Sequence, residues 1–418
     1  MKSFLHIDSQ SDFPLENIPF GVFHLKSEPE SNARCATRIG DFVIDLSYLE
    51  QHKYLAVNQD AQESVFDKNN LNSFMSLPKT IWTSVRKQLQ DLFSVGSVLS
   101  TLSCEETCTF IFAIALVHML LPCKIGDYTD FYSSRNHAYN VGVMFRGPEN
   151  ALQPNWLWLP VGYHGRASSV VQSPSTFSRP SGQIKGPNDQ VPRLGKSQKM
   201  DFELEVGVFL GKSNKLGEQI SIDEAEDFIF GYVLLNDISV RDVQNWEYVP
   251  LGPFTAKNCI TVISPWIVTH EALLPFRTKI PPQEPAPLEY LNDKNYSGFD
   301  VNLEVFIKVA SNPNEQKISN SNMKYLYWTF PQQITHHTVT GCNMNVGDLL
   351  GSGTISGTEK KEFGSFLELS WNGKEPLVLE NNEQRSFWQD NDEIIIKGHA
   401  QKGELRIGFG ECASKMLP

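Results

Sequence analysis

The sequence predicts a mainly β, α+β protein: a small β-rich unit with a helix at the N-terminus, then a larger β-dominated domain. Three observations point there. Alternation is strong over residues 300–310, where Val301, Leu303, Val305, Ile307 and Val309 share one face of a half-buried strand. Turn residues are frequent, with 28 Gly and 24 Pro in 418 residues. Long helical patterns are few, the best being 222–229 and a segment before Thr338 that Pro331 starts or kinks. The length suits two domains or one unusually large one, and the change in pattern divides the chain into 1–118 and 119–418.

The elements follow in order. In the N-terminal unit, residues 34–39 and 42–46 flank Gly40-Asp41, a two-residue hairpin signal. Pro78 opens a helix with Ile81, Val85, Leu89 and Leu92 on one stripe. Residues 108–121 form an apolar run interrupted by His118 and closed by Pro122. A membrane span needs about 20 apolar residues, so this shorter run reads as a buried element, a helix being one form of it. Residues 201–208 read as a strand, and the nearly continuous apolar run 230–236 as a strand buried on both faces. Asn372-Gly373 predicts a hairpin joining 367–371 to 376–379. Two stretches read as loops: 179–199, and 275–298 with its five prolines at 275, 281, 282, 285 and 287.

Composition narrows the partners. Apolar residues make up 40% and charged residues 20%, an ordinary globular mix. With 36 Lys+Arg against 48 Asp+Glu the formal charge is −12, which argues against a general nucleic-acid or anionic-membrane surface. A negatively charged ligand has to be caught by a local basic pocket. Seven scattered cysteines without CxxC or Cys/His zinc spacing read as reduced thiols of a cytoplasmic protein. The first eight residues lack the apolar run of a signal peptide.

The chemistry gathers around carboxylates. As a strand, 201–208 puts Asp201, Glu203 and Glu205 on one face, with Glu203 and Glu205 roughly 6.6 Å apart and able to reach one cation. Taken alone, that face is a solvated edge strand. Asp237, however, ends the buried run 230–236, and an unpaired charge there costs several kcal/mol, so it needs a partner. Oxygen-only ligands suit a hard cation, Mg²⁺ or Ca²⁺, rather than zinc. Asp130, in the polar and aromatic stretch 125–137, is a further candidate ligand. His137 is the natural general base, since imidazole titrates near neutral pH. Glu368, in what reads as a short apolar strand, is a candidate to orient it, whereas His336 and His337 read as structural. The loop 351–358 is rich in donors but lacks the lysine of a phosphate-binding loop. Arg241, Gln244 and Lys257 add cationic and amide donors after Asp237, suited to holding an enolate or carboxylate.

The motifs at 126–146, 160–169, 236–257 and 352–357, with the Gly40 hairpin and the end at 408–412, together resemble the fumarylacetoacetase family over nearly the whole chain. The resemblance implies an N-terminal SH3-like barrel and a C-terminal mixed β-roll domain assembled as a homodimer. It implies hydrolysis of the carbon–carbon bond of 4-fumarylacetoacetate to fumarate and acetoacetate, the last step of tyrosine and phenylalanine catabolism. By motif, Asp130, Glu203, Glu205 and Asp237 hold a catalytic Ca²⁺ (or Mg²⁺), and Asp237 with Lys257 and Thr261 surrounds a second, structural Mg²⁺. His137 activates water and Glu368 orients it. Arg241, Gln244 and Lys257 stabilise oxyanions, and Tyr132, Arg146, Tyr248 and Thr354, with Gln244, bind substrate. The chain departs from the family pattern in the apolar stretch 110–121 and at Ile238, where an aromatic is expected. An acylpyruvate hydrolase or metal-dependent decarboxylase of the same superfamily is a rival, but those chains are shorter and lack the N-terminal barrel. A catalytically silent binding protein on this fold is another, but it would have lost a ligand or the base.

Overall fold

The computed structural model describes residues 1–57, 64–380 and 382–418. Gly40, at φ +55°, closes the hairpin between Arg34–Ile39 and Phe42–Asp45 as expected. Around it, strands run in the order Ile111–Ala113, Phe42–Asp45, Arg34–Ile39, Phe20–Leu25 and Val117–Leu120. The two outer strands do not pair with one another, so the expected barrel is a half-barrel. The apolar run 108–121 is not a buried helix. It splits into strands at the two opposite edges of this sheet, joined by a turn at Ile114–Leu116 that leaves Leu116 57% exposed. A helix would have left both edges without partners for their backbone groups. The helix Lys79–Leu92 follows Pro78 and buries Trp82, Val85 and Leu89. Ile81 and Leu92 are only half-buried, so the stripe sits slightly round from the expected one.

The larger part is built on a mixed sheet in the order Gly162–His164, Tyr128–Phe131, Leu349–Gly351, Leu204–Leu210, Ile229–Asp237, Thr261–Ile263 and Val170–Gln172, with Val268–Thr269 also pairing with Ile229–Asp237. A second sheet runs Asn312–Asn322, Asn302–Val309, Glu393–Lys402, Leu405–Leu417 and Ser175–Ser178. Val301, Leu303, Val305, Ile307 and Val309 are all buried there, as the alternation requires.

Ile229–Asp237 is buried at every residue because it lies between two bodies. Its pairing slips where Phe209 meets Gly231 and Leu210 meets Ile229. The bulge brings Phe230 to the side of Val233 and Leu235, which pack with Phe20, Phe74 and Trp82 of the N-terminal unit. Tyr232 and Leu234 face the second sheet. There, a side chain at Gly398 would lie 2.7 Å from Leu234 Cδ2, so only glycine admits the approach.

Several local expectations are overturned. Residues 366–369 are helical (Phe366–Leu369), and Asn372-Gly373, both at positive φ, form the turn that ends it. The hairpin signal was strong, but Ser365 caps that helix and the carboxylate of Asp201 accepts from its first two amides. The short strand Leu377–Val378 pairs instead with Gln384–Arg385. The expected helix over 222–229 is instead a turn, a 3-10 segment Ala225–Phe228 and the start of the strand Ile229–Asp237. The loop 179–199 contains a hairpin, Ser181–Ile184 with Arg193–Lys196. The strand read over 201–208 is broken after Asp201, resumes at Leu204, and is central rather than a solvated edge. Pro331 does start a helix, Phe330–Thr338, under a capping box of Thr329 and Gln332.

Candidate active site

Four neighbouring strands bring the acids together. Asp130 lies beside Gly351 in the parallel pair of Tyr128–Phe131 with Leu349–Gly351, and Glu205 lies on the next strand. Asp237 ends the strand beyond, while Glu203 sits in the break before Leu204, its amide donating to Asn236 Oδ1 at 3.1 Å. Gly351 is what lets them meet: a Cβ there would lie 2.5 Å from Asp130 Oδ1 and 3.1 Å from Glu205 Oε2. Oxygens of Asp130, Glu203, Glu205 and Asp237 all fall within 4.8 Å of one another, and all four residues are buried.

The charge of this quartet is incompletely answered. Lys257 Nζ donates to Glu203 Oε2 at 2.6 Å and Asp237 Oδ2 at 2.7 Å, and Arg241 Nη2 donates to Glu203 Oε1 at 2.7 Å. Two cations against four carboxylates leave at least two negative charges (4 − 2 = 2), since Arg241 is also shared with the Asp201 carboxylate. Among the described residues, Asp130 Oδ1, Glu205 Oε1 and the neighbouring Tyr128 hydroxyl have no hydrogen-bond partner, although they are buried. Burial, and then the charge of Asp237, pushes the Asp130 carboxyl well up; burial and Asp130 do the same to Glu205. Burial also acts upward on Glu203, but Lys257, Arg241 and His137 outweigh it and hold that carboxyl below its ordinary range. Orphaned oxygens and a surplus of two charges fit a divalent cation, and the all-oxygen donor set fits a hard one.

Beside the quartet stands the acid–base pair. His137, on the helix Arg135–Arg146, places Nδ1 2.6 Å from Glu368 Oε2, and both side chains are buried. Burial works against the Glu368 charge, but His137, Asn140 and Ser365 overcome it, so its carboxyl lies below the ordinary range. A carboxylate only accepts, so Nδ1 carries a proton, and in the neutral tautomer this selects, Nε2 has the lone pair that takes a proton from water. Asn140 Nδ2 donates to Glu368 Oε1 at 2.9 Å, and the Ser356 and Ser365 hydroxyls donate to Oε2, each at 2.9 Å. The Tyr132 ring meets His137 edge to face at 5.3 Å.

The other sequence candidates fall into two groups. Arg241 Nη1 donates to Gln244 Oε1 at 3.1 Å, and the Thr261 hydroxyl donates to Asp237 Oδ1 at 3.1 Å. Thr354 is buried with its hydroxyl unpartnered, just after Gly353, whose amide donates to Glu205 Oε2 at 3.1 Å. Arg146 and Tyr248 are not drawn into this network. The guanidinium of Arg146 donates to the Asn150 and Ala151 carbonyls, although its charge is felt at Tyr132. Tyr248 is 47% exposed after the helix Arg241–Glu247. His336 and His337 keep the structural reading, paired with the Tyr290 and Thr129 hydroxyls.

Sequence reasoning missed Asn140, Ser356, Ser365 and Tyr163, whose hydroxyl donates to Asp237 Oδ2 at 2.9 Å. Asn140 was within reach, being one helical turn beyond His137. Ser365 and Glu368 have the spacing of a helix start, which also reveals that Glu368 is not on a strand. Ser356 and Tyr163 arrive through tertiary packing and leave no local signal.

Residues 128–416 match the profile of the fumarylacetoacetate (FAA) hydrolase C-terminal domain, and residues 16–122 that of the fumarylacetoacetase N-terminal domain. The chain belongs to the fumarylacetoacetase family. It is 51% identical to a fumarylacetoacetase of Dictyostelium discoideum over 422 aligned residues, covering 100% of this chain and 98% of that one. Against the human fumarylacetoacetase the identity is 50%, covering 100% and 99%. Among solved structures, a fumarylacetoacetate hydrolase from psychrophilic Exiguobacterium antarcticum superposes with a TM-score of 0.53 at 15% identity, covering 96% of this chain and 99% of that one. At that identity the likeness concerns the fold of the family alone.

Proposed function

We propose that this member of the family hydrolyses 4-fumarylacetoacetate to fumarate and acetoacetate. The observation that carries the reading is the buried His137–Glu368 pair standing beside a carboxylate quartet short of two positive charges. Full-length identity of about one half to fumarylacetoacetases supports the substrate.

Asp130, Glu203, Glu205 and Asp237 would hold a divalent cation, which would supply Lewis acidity for the attack on a carbonyl. His137 Nε2 takes a proton from water, and the oxygen bonds to the carbonyl carbon on the fumaryl side. Glu368 keeps the imidazole in that tautomer and steadies the imidazolium. Arg241 and Lys257 face the negative charge that develops on oxygen, and Gln244 fixes the guanidinium. The carbon–carbon bond then breaks, its electron pair leaving with acetoacetate as an enolate. His137 returns the proton to that carbon, which balances the reaction. Tyr132, Arg146, Tyr248 and Thr354 complete the substrate contacts in this reading.

Ca²⁺ is the assigned cation, with Mg²⁺ as the alternative. A second, structural Mg²⁺ beside Asp237 belongs to the same reading. Asp237 and the Thr261 hydroxyl offer it oxygen, whereas the Lys257 ammonium is itself a cation, so that residue has only its main chain to give. The reading also includes a homodimer, domains spanning 1–118 and 119–418, a cytoplasmic location, and a small molecule as partner in place of nucleic acid or membrane. Among the described residues no helix is long and apolar enough to cross a membrane.

The test is the ultraviolet absorbance of fumarylacetoacetate mixed with purified protein. Loss of the diketone signal is expected, abolished by EDTA and restored by Ca²⁺ or Mg²⁺. Absence of any metal-dependent loss overturns the reading.

A further inference from the structure

Glu368 and Arg241 reach the site from different parts of the chain, one on the helix Phe366–Leu369 and the other on the helix Arg241–Glu247. One side chain touches both supports. Asp201 is fully buried, and its Oδ2 accepts from Arg241 Nε at 2.8 Å and from the Leu367 amide at 3.1 Å. Its Oδ1 accepts from the Phe366 amide at 2.6 Å. Asp201 therefore satisfies the first two amides of the helix that presents Glu368 while holding the guanidinium from its Nε side. That leaves Nη1 for Gln244 and Nη2 for Glu203. Asp201 also precedes the break in the strand before Leu204, so it turns away from the quartet that takes Glu203 and Glu205.

We propose that Asp201 is a positioning residue: its carboxylate ties the arm that stabilises the oxyanion to the arm that orients the base, so that both meet one substrate in register. The inference rests on the function proposed above. It acts through Arg241 and Glu368, and Asp201 itself contacts neither substrate nor cation. Four-residue helices do not hold their own geometry, and a catalytic group displaced by about 1 Å can lose on the order of 10²-fold in rate. A bidentate carboxylate serving both arms is suited to prevent that.

The test is Asp201→Asn, which keeps the shape but turns an amide donor toward donors that need an acceptor. Wild-type turnover with saturating Ca²⁺ is measured first. If wild type does not consume fumarylacetoacetate, the proposed function fails, whatever Asp201 does. Given turnover, kcat of Asp201→Asn is expected to fall about 10²-fold, with KM changed less than about threefold, since the losses fall on groups that act as charge develops. Arg241→Lys and the double variant separate positioning from mere support. If Asp201 works through both arms, its substitution lowers kcat by less once Arg241 is Lys than it does in the wild-type background, the remaining loss coming through Glu368. Should Asp201→Asn not fold, Asp201→Ser takes its place in the same cycle, its hydroxyl still capping the helix but unable to hold the guanidinium. A single variant with kcat within about threefold of wild type, or fully additive losses in the double variant, overturns the inference.

Discussion

His137 and Glu368 lie 231 positions apart in the chain and 2.6 Å apart in space. Replacing His137 with Asn keeps a hydrogen bond to Glu368 but removes the base. The expected loss in kcat is about 10³-fold, with the thermal midpoint unchanged within a few degrees; a variant near the wild-type rate would assign the base elsewhere. Lys257→Met leaves Glu203 and Asp237 facing each other without their ammonium. Because an unpaired buried carboxylate costs several kcal/mol, this variant is expected to melt well below wild type. It should recover part of the difference when Ca²⁺ is added, and melting curves with and without the ion test this. The quartet was largely legible, since Glu203 and Glu205 alternate along one segment and Asp237 ends a continuous apolar run. Asn140 and the serines around Glu368 were not, because each is defined by what it touches across the fold.

At the scale of elements, short turns fix where functional groups point. Gly353, at φ +75°, follows the strand Leu349–Gly351, and a Cβ there would lie 2.2 Å from the Phe131 carbonyl oxygen. Gly353→Ala is expected to shift the loop, breaking its amide bond to Glu205 and displacing Thr354. Calorimetric titration should then show Ca²⁺ affinity at least tenfold weaker, and wild-type affinity would contradict the role given to this turn. A second element is the contact that Glu226 makes with His270 and Arg277. His270, ahead of burial and Arg277 among the influences on it, helps pull the Glu226 carboxyl down to about 2. Its folded value lies below its unfolded one, so the contribution to stability is complete above about pH 5 and is lost as pH falls toward the folded value. Glu226→Gln is therefore expected to melt below wild type at neutral pH, the gap narrowing as pH is lowered from about 5 to about 3.5. A gap that does not narrow refutes this. The helix Phe366–Leu369 carries a lesson about reading sequence: Asn372-Gly373 suggested a hairpin, yet Ser365 and Glu368 already had the spacing of a capped helix. Two local signals competed, and the distant carboxylate of Asp201 favoured the helix.

Across the whole molecule, the strand Ile229–Asp237 explains why the N-terminal unit is present. Its Phe230, Val233 and Leu235 face would be exposed without Phe20, Phe74 and Trp82 against it. The same strand ends in Asp237, so packing with the N-terminal unit supports the site from behind. Phe74→Ala is expected to cost about 3–5 kcal/mol, seen as a lower denaturant midpoint. The α+β class and both buried strands were readable because periodicity reports burial directly. The division of 108–121 between two sheet edges was not, since an apolar run has the same composition in either form. The most direct measurement is of fumarate and acetoacetate formed from fumarylacetoacetate by wild type and by His137→Asn, each folded and loaded with Ca²⁺ to the same content. The expected result is one fumarate and one acetoacetate per substrate consumed by wild type, and about 10³-fold slower formation by the variant. Folded, metal-loaded wild type that forms neither product, or a variant that forms them at the wild-type rate, would contradict it.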